Sequence, residues 1–296
     1  MSRFIILFLF LIPLSLFSAN KEHKGVVIVY KKGLANINNK DIRLGIEILL
    51  QEILKSKDIS FKAEFTDDFE KAISDFQSVK ADFLSMDFVY YMQEYDSLSP
   101  YVQDTWILIT RKKNTFRRFY LLVNKKSGIN SLAELKNKRI GLLESDSLQE
   151  LYINTLLLEN QGLKSKKYFK EKIYYPKFSR ALLKLFFNKI DACIVSENTW
   201  DIAVELNPQI AKSLKFIDKS PDIFPPVSIT LTHKKSPYFS KLYKDFSLKL
   251  ENNSHAKQIF DMYQIVESVK VSKKDLAPIF KYYKHYLELE KKNYAK

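Results

Sequence analysis

Three short polar segments of the sequence have residue types that could bind a small charged molecule. Each follows an apolar, strand-like run and precedes a helix-like one: Ser85-Met86-Asp87, Ser145-Asp146-Ser147 and Ser196-Glu197-Asn198. Loops between a strand end and a helix start are where open α/β sheets usually bind ligands. Hydroxyl groups and the unpaired amides of a helix start suit an oxyanion or a zwitterion. The three loops therefore predict one crevice lined with hydrogen-bond donors.

The same residue types also cap helices, so each loop has a purely structural interpretation as well. Ser147-Leu148-Gln149-Glu150 has the pattern of a capping box, with Ser147 as the cap. That assignment leaves Ser145 without a structural role, which makes Ser145 the first choice for a ligand contact. Glu197 could receive an amine, or it could cap a helix or be solvated. Both interpretations stay open for each loop.

Signatures of enzymes are missing from the sequence. It contains neither a phosphate-binding glycine loop nor a G-x-S-x-G nucleophile motif. The four histidines lack metal-ligand spacing, and Cys193, the single cysteine, lies in an apolar strand without a nearby histidine. We therefore predict no catalytic residue, no metal and no cofactor. An enzyme that uses Cys193 or Glu197 chemically is the weaker alternative.

Alternating strand and helix patterns predict an α/β fold of two lobes, each a mostly parallel sheet flanked by helices. In the first lobe, strands are predicted at residues 24–30, 59–65 and 81–84, and helices at 41–55 and around 69–76. In the second lobe, strands are predicted at 119–123, 139–143, 172–175 and 192–195, and helices at 148–161, 179–187 and 197–206. A further capping box, Ser131-Leu132-Ala133-Glu134, predicts a short helix. Gly162 is expected to end the predicted helix at 148–161.

The chain is expected to cross between the lobes twice, which makes a hinge. The first crossing is the basic turn at residues 111–118, between strands at 105–110 and 119–123. The second is the proline-rich segment 218–226, between strands at 214–217 and 227–231. The helices that follow, at 238–251, 255–262 and 275–289, are expected to pack on the first lobe. The predicted domains are residues 24–118 with 222–296 for the first lobe, and 119–221 for the second.

The chain of 296 residues is basic, with a formal net charge of +14. Such a charge fits nucleic acid, an anionic membrane or an anionic ligand. The lysines are spread through nearly every segment, and no nucleic-acid-binding signature is present. A solvated, lysine-rich surface is therefore the favoured interpretation, and no nucleic-acid partner is predicted.

Residues 1–19 have the pattern of a secretory signal peptide. A short positive start precedes an apolar run at residues 4–17, and Ser18 and Ala19 are small enough for cleavage. The run is shorter than the roughly 20 apolar residues that span a bilayer. The bulky Phe17 keeps an uncleaved anchor open as an alternative, and the absence of a nearby cysteine argues against a lipoprotein. A periplasmic location is predicted.

A family resemblance supports this interpretation. The run LLVNKKSGINSLAELKNKRIGLLESDS at residues 121–147 resembles periplasmic solute-binding proteins of the phosphonate- and phosphite-binding (PhnD-like) type. The phrases Ile190-Asp191-Ala192-Cys193-Ile194-Val195 and Glu205-Leu206-Asn207-Pro208 also lie where that family would place them. The resemblance covers roughly residues 26–262. It implies the type 2 periplasmic-binding-protein fold and a serine-rich ligand loop at Ser145.

One loop departs from the family pattern. The family's glycine- and proline-containing phrase is replaced by Leu84-Ser85-Met86-Asp87-Phe88, while Tyr91 resembles the tyrosine that follows that loop. Asp87 would repel a dianionic phosphonate unless it pointed away or met a cationic group. The residues predicted to bind the ligand are Tyr30, Ser85, Asp87, Tyr91, Ser145, Asp146, Ser147, Glu197 and Asn198.

The expected function is the capture of a small polar, anionic solute, phosphonate-, phosphite- or phosphate-like, between two lobes. The resemblance implies an ABC permease as the partner, and the binding protein is expected to be a monomer. The alternative is a sensing module with the same lobes, which would report its ligand to a membrane receptor or histidine kinase without transport.

Overall fold

The computed structural model describes residues 23–30, 59–110, 115–144, 146–225, 228–249 and 265–294. Its strands form two sheets, one of six and one of five strands, and helices flank both. The two-lobe α/β architecture predicted from the sequence is confirmed. The predicted signal peptide and the predicted helices at 41–55 and 255–262 lie outside the described residues.

The first sheet has the strand order β11-β4-β10-β3-β1-β2. Its strands are β1 His23–Tyr30, β2 Ile59–Thr66, β3 Phe83–Met86, β4 Val102–Thr110, β10 Ile229–His233 and β11 Ile265–Val271. The βαβαβ half is parallel, since β1 pairs in parallel with β2 and β3. The strands β10, β4 and β11 add antiparallel pairs. The sheet is therefore mixed, and the expectation of a mostly parallel sheet holds only for its first half.

The second sheet repeats this plan in the order β7-β6-β8-β5-β9. Its strands are β5 Phe119–Asn124, β6 Arg139–Leu143, β7 Glu171–Tyr175, β8 Ala192–Ser196 and β9 Leu214–Lys219. Strand β6 pairs in parallel with β7 and β8, whereas β5 is antiparallel to β8 and β9. All residues of β5 are buried, because it is covered on both faces, which explains its continuous apolar run.

Each sheet receives one strand from the chain segment that has just crossed between the lobes. Strand β5 follows the first crossing and lies beside β8 in the second sheet. Strand β10 follows the second crossing and lies beside β3 in the first sheet. The two crossings also pair with each other, because Arg117 and Phe224 exchange backbone hydrogen bonds of 2.7 and 3.1 Å. This pairing joins the two crossings into a single hinge.

Helices fill the faces of both sheets. Those in the described part of the chain are Phe69–Gln77, Phe88–Gln93, Tyr95–Leu98, Ser147–Gln161, Ser165–Tyr168, Phe178–Phe186, Glu197–Leu206, Gln209–Ser213, Pro237–Lys249 and Lys273–Tyr294, with 3₁₀ turns at Lys125–Ser127 and Ala133–Leu135. Glu197–Leu206 has the predicted bounds. Gly162 ends the helix before it with φ of 65°, a conformation that favours glycine. Among these residues, no helix is both long and apolar enough to cross a bilayer.

Both predicted capping boxes are wrong. Before the 3₁₀ turn Ala133–Leu135, the Glu134 carboxylate accepts a hydrogen bond from the Asn130 amide, and Ser131 is not the cap. At the helix Ser147–Gln161 the cap is Asp146, one residue earlier than predicted, and it accepts from the Gln149 amide at 3.0 Å. Ser147 is the first residue of that helix, so its hydroxyl is available for a different contact.

The C-terminal helix, Lys273–Tyr294, contacts both lobes. Its Phe280 ring lies 4.7 Å from the ring of Tyr95 in the first lobe. Further along, His285 lies 2.7 Å from Glu159 and Glu290 forms an ion pair with Lys164, both in the second lobe. The first half of this helix lies against the first lobe, where the sequence places the C-terminal segment, and its second half also contacts the second lobe.

Candidate functional site

Asp87 lies at the carboxyl end of β3 and begins the helix Phe88–Gln93. Its carboxylate accepts a hydrogen bond from the Val89 amide at 2.8 Å and thereby caps this helix. The side chain is almost completely buried, with 5% exposure. Burial raises the pKa of this carboxyl to about 6, and the negative charge of Asp146 adds to the increase, while hydrogen bonds from Ser147 and from backbone amides oppose it.

Ser147 connects this carboxylate to the opposite lobe. Its hydroxyl oxygen lies 2.6 Å from both carboxylate oxygens of Asp87 and donates to them. Asp87 follows a strand of the first sheet, and Ser147 begins a helix that follows a strand of the second. The two helix starts therefore meet across the boundary between the lobes. Ser145, the first-choice ligand residue, lies outside the described residues.

Asp146 is held by an arginine of the first crossing. Arg117 Nη2 lies 2.9 Å from Asp146 Oδ2, and the two side chains are only 16% and 7% exposed. The same guanidinium donates through Nε to the Pro225 carbonyl of the second crossing at 3.1 Å. It also lies 4.7 Å from the centre of the Phe119 ring. Arg117 thus ties both crossings to the helix start that carries Ser147.

Glu197 begins the helix after β8, at the same edge of the second sheet. Its carboxylate accepts a hydrogen bond from the Tyr120 hydroxyl at 2.7 Å and lies 3.9 Å from Arg118 Nε. Ser196 caps this helix by accepting from the Thr199 amide, so Glu197 is not the cap. Asn198 follows in the first turn and is half-buried. The structure therefore leaves Glu197 with an aromatic hydroxyl and a cation as neighbours.

Arg118 is a partly exposed cation at this edge. Its Nη2 lies 3.7 Å from Asp222 in the second crossing, and its side chain is 36% exposed. The Nε atom is buried and has no hydrogen-bond partner among the described residues. An N–H donor without a partner beside a helix start is suited to an incoming anion.

Tyr30 and Ser85 lie behind this site in the first lobe. Tyr30 is buried, with its ring 5.2 Å from Tyr90 and 5.1 Å from Phe69. Burial is the main cause that raises the pKa of Tyr30 to about 12, and the neighbouring Tyr90 adds to it. Ser85 is half-buried, and its hydroxyl accepts from Thr230 at 3.3 Å. Both residues pack near the Asp87 loop.

Tyr91 lies in the interior of the first lobe. Its ring is buried and packs against Phe88 at 5.7 Å, Tyr95 at 5.6 Å and Phe280 at 6.0 Å. Burial raises the pKa of Tyr91 to about 12. The structure thus places Tyr91 between the Asp87 helix and the C-terminal helix, and does not bring it to the group formed by Asp87, Asp146 and Ser147.

The chemistry available at this site is hydrogen bonding and charge. Among the described residues, no three His, Cys, Asp or Glu side chains are placed to hold a metal ion. Cys193 is completely buried in β8, and burial raises the pKa of its thiol, which keeps it protonated and unreactive. The arrangement can bind and enclose a solute.

Sequence reasoning missed Arg117, Arg118 and Tyr120. The first crossing was recognised as a basic turn, but no local pattern links Arg117 to a carboxylate 29 positions away. The paired crossings and the meeting of two helix starts between two sheets define the class of this protein. It has the two-lobe architecture of a binding protein, with the lobes joined at a hinge.

Comparison with known proteins identifies the family. Residues 35–276 match the family of periplasmic substrate-binding proteins of phosphonate ABC transporters. The chain belongs to this family, which confirms the resemblance seen in the sequence. Because the family binds substrates for import, the protein is a periplasmic binding protein of an ABC importer, with a permease as its partner. The family favours neither the sensing alternative nor an enzyme.

Solved structures share the fold. A binding protein of a phosphonate ABC transporter from Pseudomonas aeruginosa is 18% identical, with a TM-score of 0.62, over 92% of this chain and 89% of that one. PhnD1 from Prochlorococcus marinus, in complex with methylphosphonate, is 18% identical, with a TM-score of 0.57, over 88% and 97%. A chloride-bound protein from Xanthomonas citri is 12% identical, with a TM-score of 0.58, over 90% and 99%. No curated protein matches the sequence.

Proposed function

We propose that the protein binds an oxyanion of the phosphonate, phosphite or phosphate class between its lobes. The proposed contacts come from Asp87, Ser145, Asp146, Ser147, Glu197 and Asn198, with Arg118 as the cation, while Tyr30, Ser85 and Tyr91 support the crevice from within the first lobe. One observation carries the proposal: the Ser147 hydroxyl reaches Asp87 from the opposite lobe at 2.6 Å. A solute between these two helix starts would contact both lobes at once.

The helix Ser147–Gln161 supplies the favourable end of a helix dipole. Its first amides have no partner within the helix, and Asp146 accepts from only one of them in its role as cap. The Ser147 hydroxyl can turn from Asp87 to a ligand oxygen. Arg118 adds a donor that is already desolvated, which makes a charge-assisted hydrogen bond stronger.

Asp87 makes binding depend on pH. An ionised Asp87 repels an oxyanion, whereas the protonated carboxyl can donate a hydrogen bond to it. Because the pKa of this carboxyl is raised to about 6, a simple alkyl phosphonate should bind more weakly as pH rises above 6. An aminoalkyl phosphonate that places its ammonium group on Asp87 should show the opposite trend.

A thermal-shift screen of the chain from Asn20 onward tests the proposal. The panel holds phosphate, phosphite, alkyl and aminoalkyl phosphonates, sulfate, amino acids and dicarboxylates. A ligand at a hundred times its dissociation constant stabilises the folded state by about 2.7 kcal/mol, which gives a clear shift. Titration calorimetry of each hit, on both sides of the Asp87 pKa, then separates the two ligand classes.

Serine variants locate the site. Ser147→Ala and Ser145→Ala should each weaken a phosphorus oxyanion by about tenfold, which corresponds to one charge-assisted hydrogen bond. Ser131→Ala is the matched control, because Ser131 is exposed and precedes β6 at the opposite end of the second sheet. If both site variants bind a hit as tightly as the unchanged protein does, the ligand does not bind at this helix start. If no compound of the panel raises the melting temperature, the proposed ligand class is wrong.

The remaining features of the protein follow from the same proposal. The first lobe comprises residues 24–118 and 222–296, and the second comprises 119–221. Apart from His23 at the start of β1, the strands of each sheet fall within these ranges, which supports the division. Residues 1–19 act as a signal peptide, cleaved before Asn20, and the secreted protein is a monomer that binds no nucleic acid. Mass spectrometry of the secreted N-terminus and light scattering test these points.

A further inference from the structure

The edge of the second sheet that points away from the crevice is strongly basic. Strand pairing brings the ends Asn124, Arg139, Glu171, Ala192 and Leu214 into one row. The crevice residues lie at the opposite ends of these strands, about 15 Å away for strands of this length. Exposed lysines lie within four positions of the row, among them Lys126, Lys136, Lys138, Lys167, Lys170 and Lys189. We call these six residues the distal basic edge.

Backbone hydrogen bonds hold the lysine segments side by side. The Lys170 amide donates to the Lys138 carbonyl at 3.0 Å, and the Asn137 amide donates to the Tyr168 carbonyl at 2.9 Å. The Asp191 amide, close to Lys189, donates to the Arg139 carbonyl at 3.2 Å. The loops that precede β6, β7 and β8 thus form one continuous surface, and Lys126 lies at the same edge in the turn that follows β5.

Nearby acidic residues neutralise only part of this surface: Glu171 lies in the row itself, and the charge of Asp191 also attracts Lys138. Asp191 forms an ion pair with Arg139 at 3.2 Å, and Glu134 accepts from the Asn130 amide. Within the described ranges, the six lysines of the distal basic edge form no ion pair with a carboxylate. At the corresponding edge of the first sheet, by contrast, Lys80 is paired with Asp75.

An exposed apolar spot adjoins the basic residues. Phe187 is 63% exposed and Leu183, one helical turn earlier, is 46% exposed. The Lys189 amide donates to the Lys184 carbonyl at 2.8 Å, so Phe187 lies in a tight turn between these two lysines of the sequence. Lysines around a protruding aromatic ring are typical of surfaces that enter the interface of a bilayer.

We propose that the distal basic edge, together with Phe187, binds an anionic bilayer surface. The lysines attract lipid phosphates as point charges, and the ring of Phe187 enters the region between headgroups and acyl chains. A soluble polyanion offers no apolar phase for that ring, which favours the bilayer. Because the edge lies opposite the crevice, the protein can bind the membrane and its ligand at the same time. Membrane binding is an activity additional to the solute binding proposed above.

Vesicle co-sedimentation tests the proposal with the chain from Asn20 onward. The vesicles contain phosphatidylcholine with or without phosphatidylglycerol, at physiological ionic strength. The combined change Lys136→Gln, Lys138→Gln and Lys170→Gln should lower partitioning onto the anionic vesicles by roughly a hundredfold, at about a fivefold loss for each lysine. Phe187→Ser should lower it by about tenfold.

The matched control is Lys235→Gln, Lys241→Gln and Lys274→Gln, which removes the same charge from exposed positions of the first lobe. It should lower partitioning much less than the edge variant. An equal loss in both triple variants would show attraction by net charge alone and would overturn the proposal. So would a lack of binding to anionic vesicles, or binding that Phe187→Ser leaves unchanged. Retained thermal stability of each variant shows that it is folded.

Discussion

Replacing Asp87 by asparagine is expected to stabilise the folded protein above pH 6 and to have little effect at low pH. The Asp87 carboxyl is 5% exposed, and burial raises its pKa from 3.8 to about 6. A carboxyl whose pKa is higher in the folded state binds its proton more tightly when folded. The stability that this proton contributes is fully present below the unfolded pKa and is lost as pH rises through the folded pKa.

The size of this effect follows from the difference between the two pKa values. Each unit corresponds to about 1.4 kcal/mol, so ionised Asp87 destabilises the protein at pH 8 by on the order of 3 kcal/mol relative to pH 4. Asparagine removes the charge and keeps the structural contacts. Its carbonyl oxygen can still cap the helix by accepting from Val89, and it can still accept from Ser147. Urea unfolding across this pH range measures the difference.

Asp68→Asn is the matched control for this experiment. Asp68 also caps a helix, by accepting from the Lys71 amide at 2.9 Å, but it is exposed. Its replacement should change stability by only a few tenths of a kcal/mol, because asparagine caps a helix about as well as aspartate does. If Asp87→Asn destabilises the protein at pH 8, or changes its stability equally at all pH values, burial of the ionised carboxylate is not what destabilises the folded protein above pH 6.

Three further changes test other parts of the structure. Arg117→Ala should lower the free energy of unfolding by about 3 kcal/mol in urea, because it leaves the buried Asp146 carboxylate without its cation, whereas the exposed Arg180→Ala should have almost no effect. Cys193 should react with a thiol reagent only as fast as the protein unfolds, since burial keeps its thiol protonated; rapid labelling of the native protein would contradict this. Gly162→Ala should cost about 1 kcal/mol in thermal unfolding, because φ there is positive, and an unchanged melting temperature would argue against that conformation.

Elements with strong local signals were predicted well. The buried strand β6 at Arg139–Leu143 and the helix Glu197–Leu206 have the expected bounds, because apolar runs and helical spacing are local properties. Strand β11, Ile265–Val271, was not predicted. It lies at the edge of the first sheet, where Val266 is 54% exposed, so its apolar residues do not alternate cleanly with polar ones.

The candidate site was predictable only in part. The polar loops at Asp87, Asp146 and Ser147 were found, because residue type and strand-end position are visible in the sequence. The cap was misplaced by one residue, since Ser147 and Glu150 imitate a capping box while Glu150 instead accepts from Lys172 at 2.8 Å. The contact between Ser147 and Asp87 joins residues 60 positions apart, and only the fold brings them together.

The pairing of the two crossings has a consequence for recombination between relatives. Arg117 and Phe224 exchange both backbone hydrogen bonds, so the lengths of the two crossings are tied to each other. An insertion of one residue in either crossing would turn the following side chains to the opposite face. Chimeras that exchange one lobe between family members should therefore retain the hinge only when both crossings are cut at positions matched to this pair.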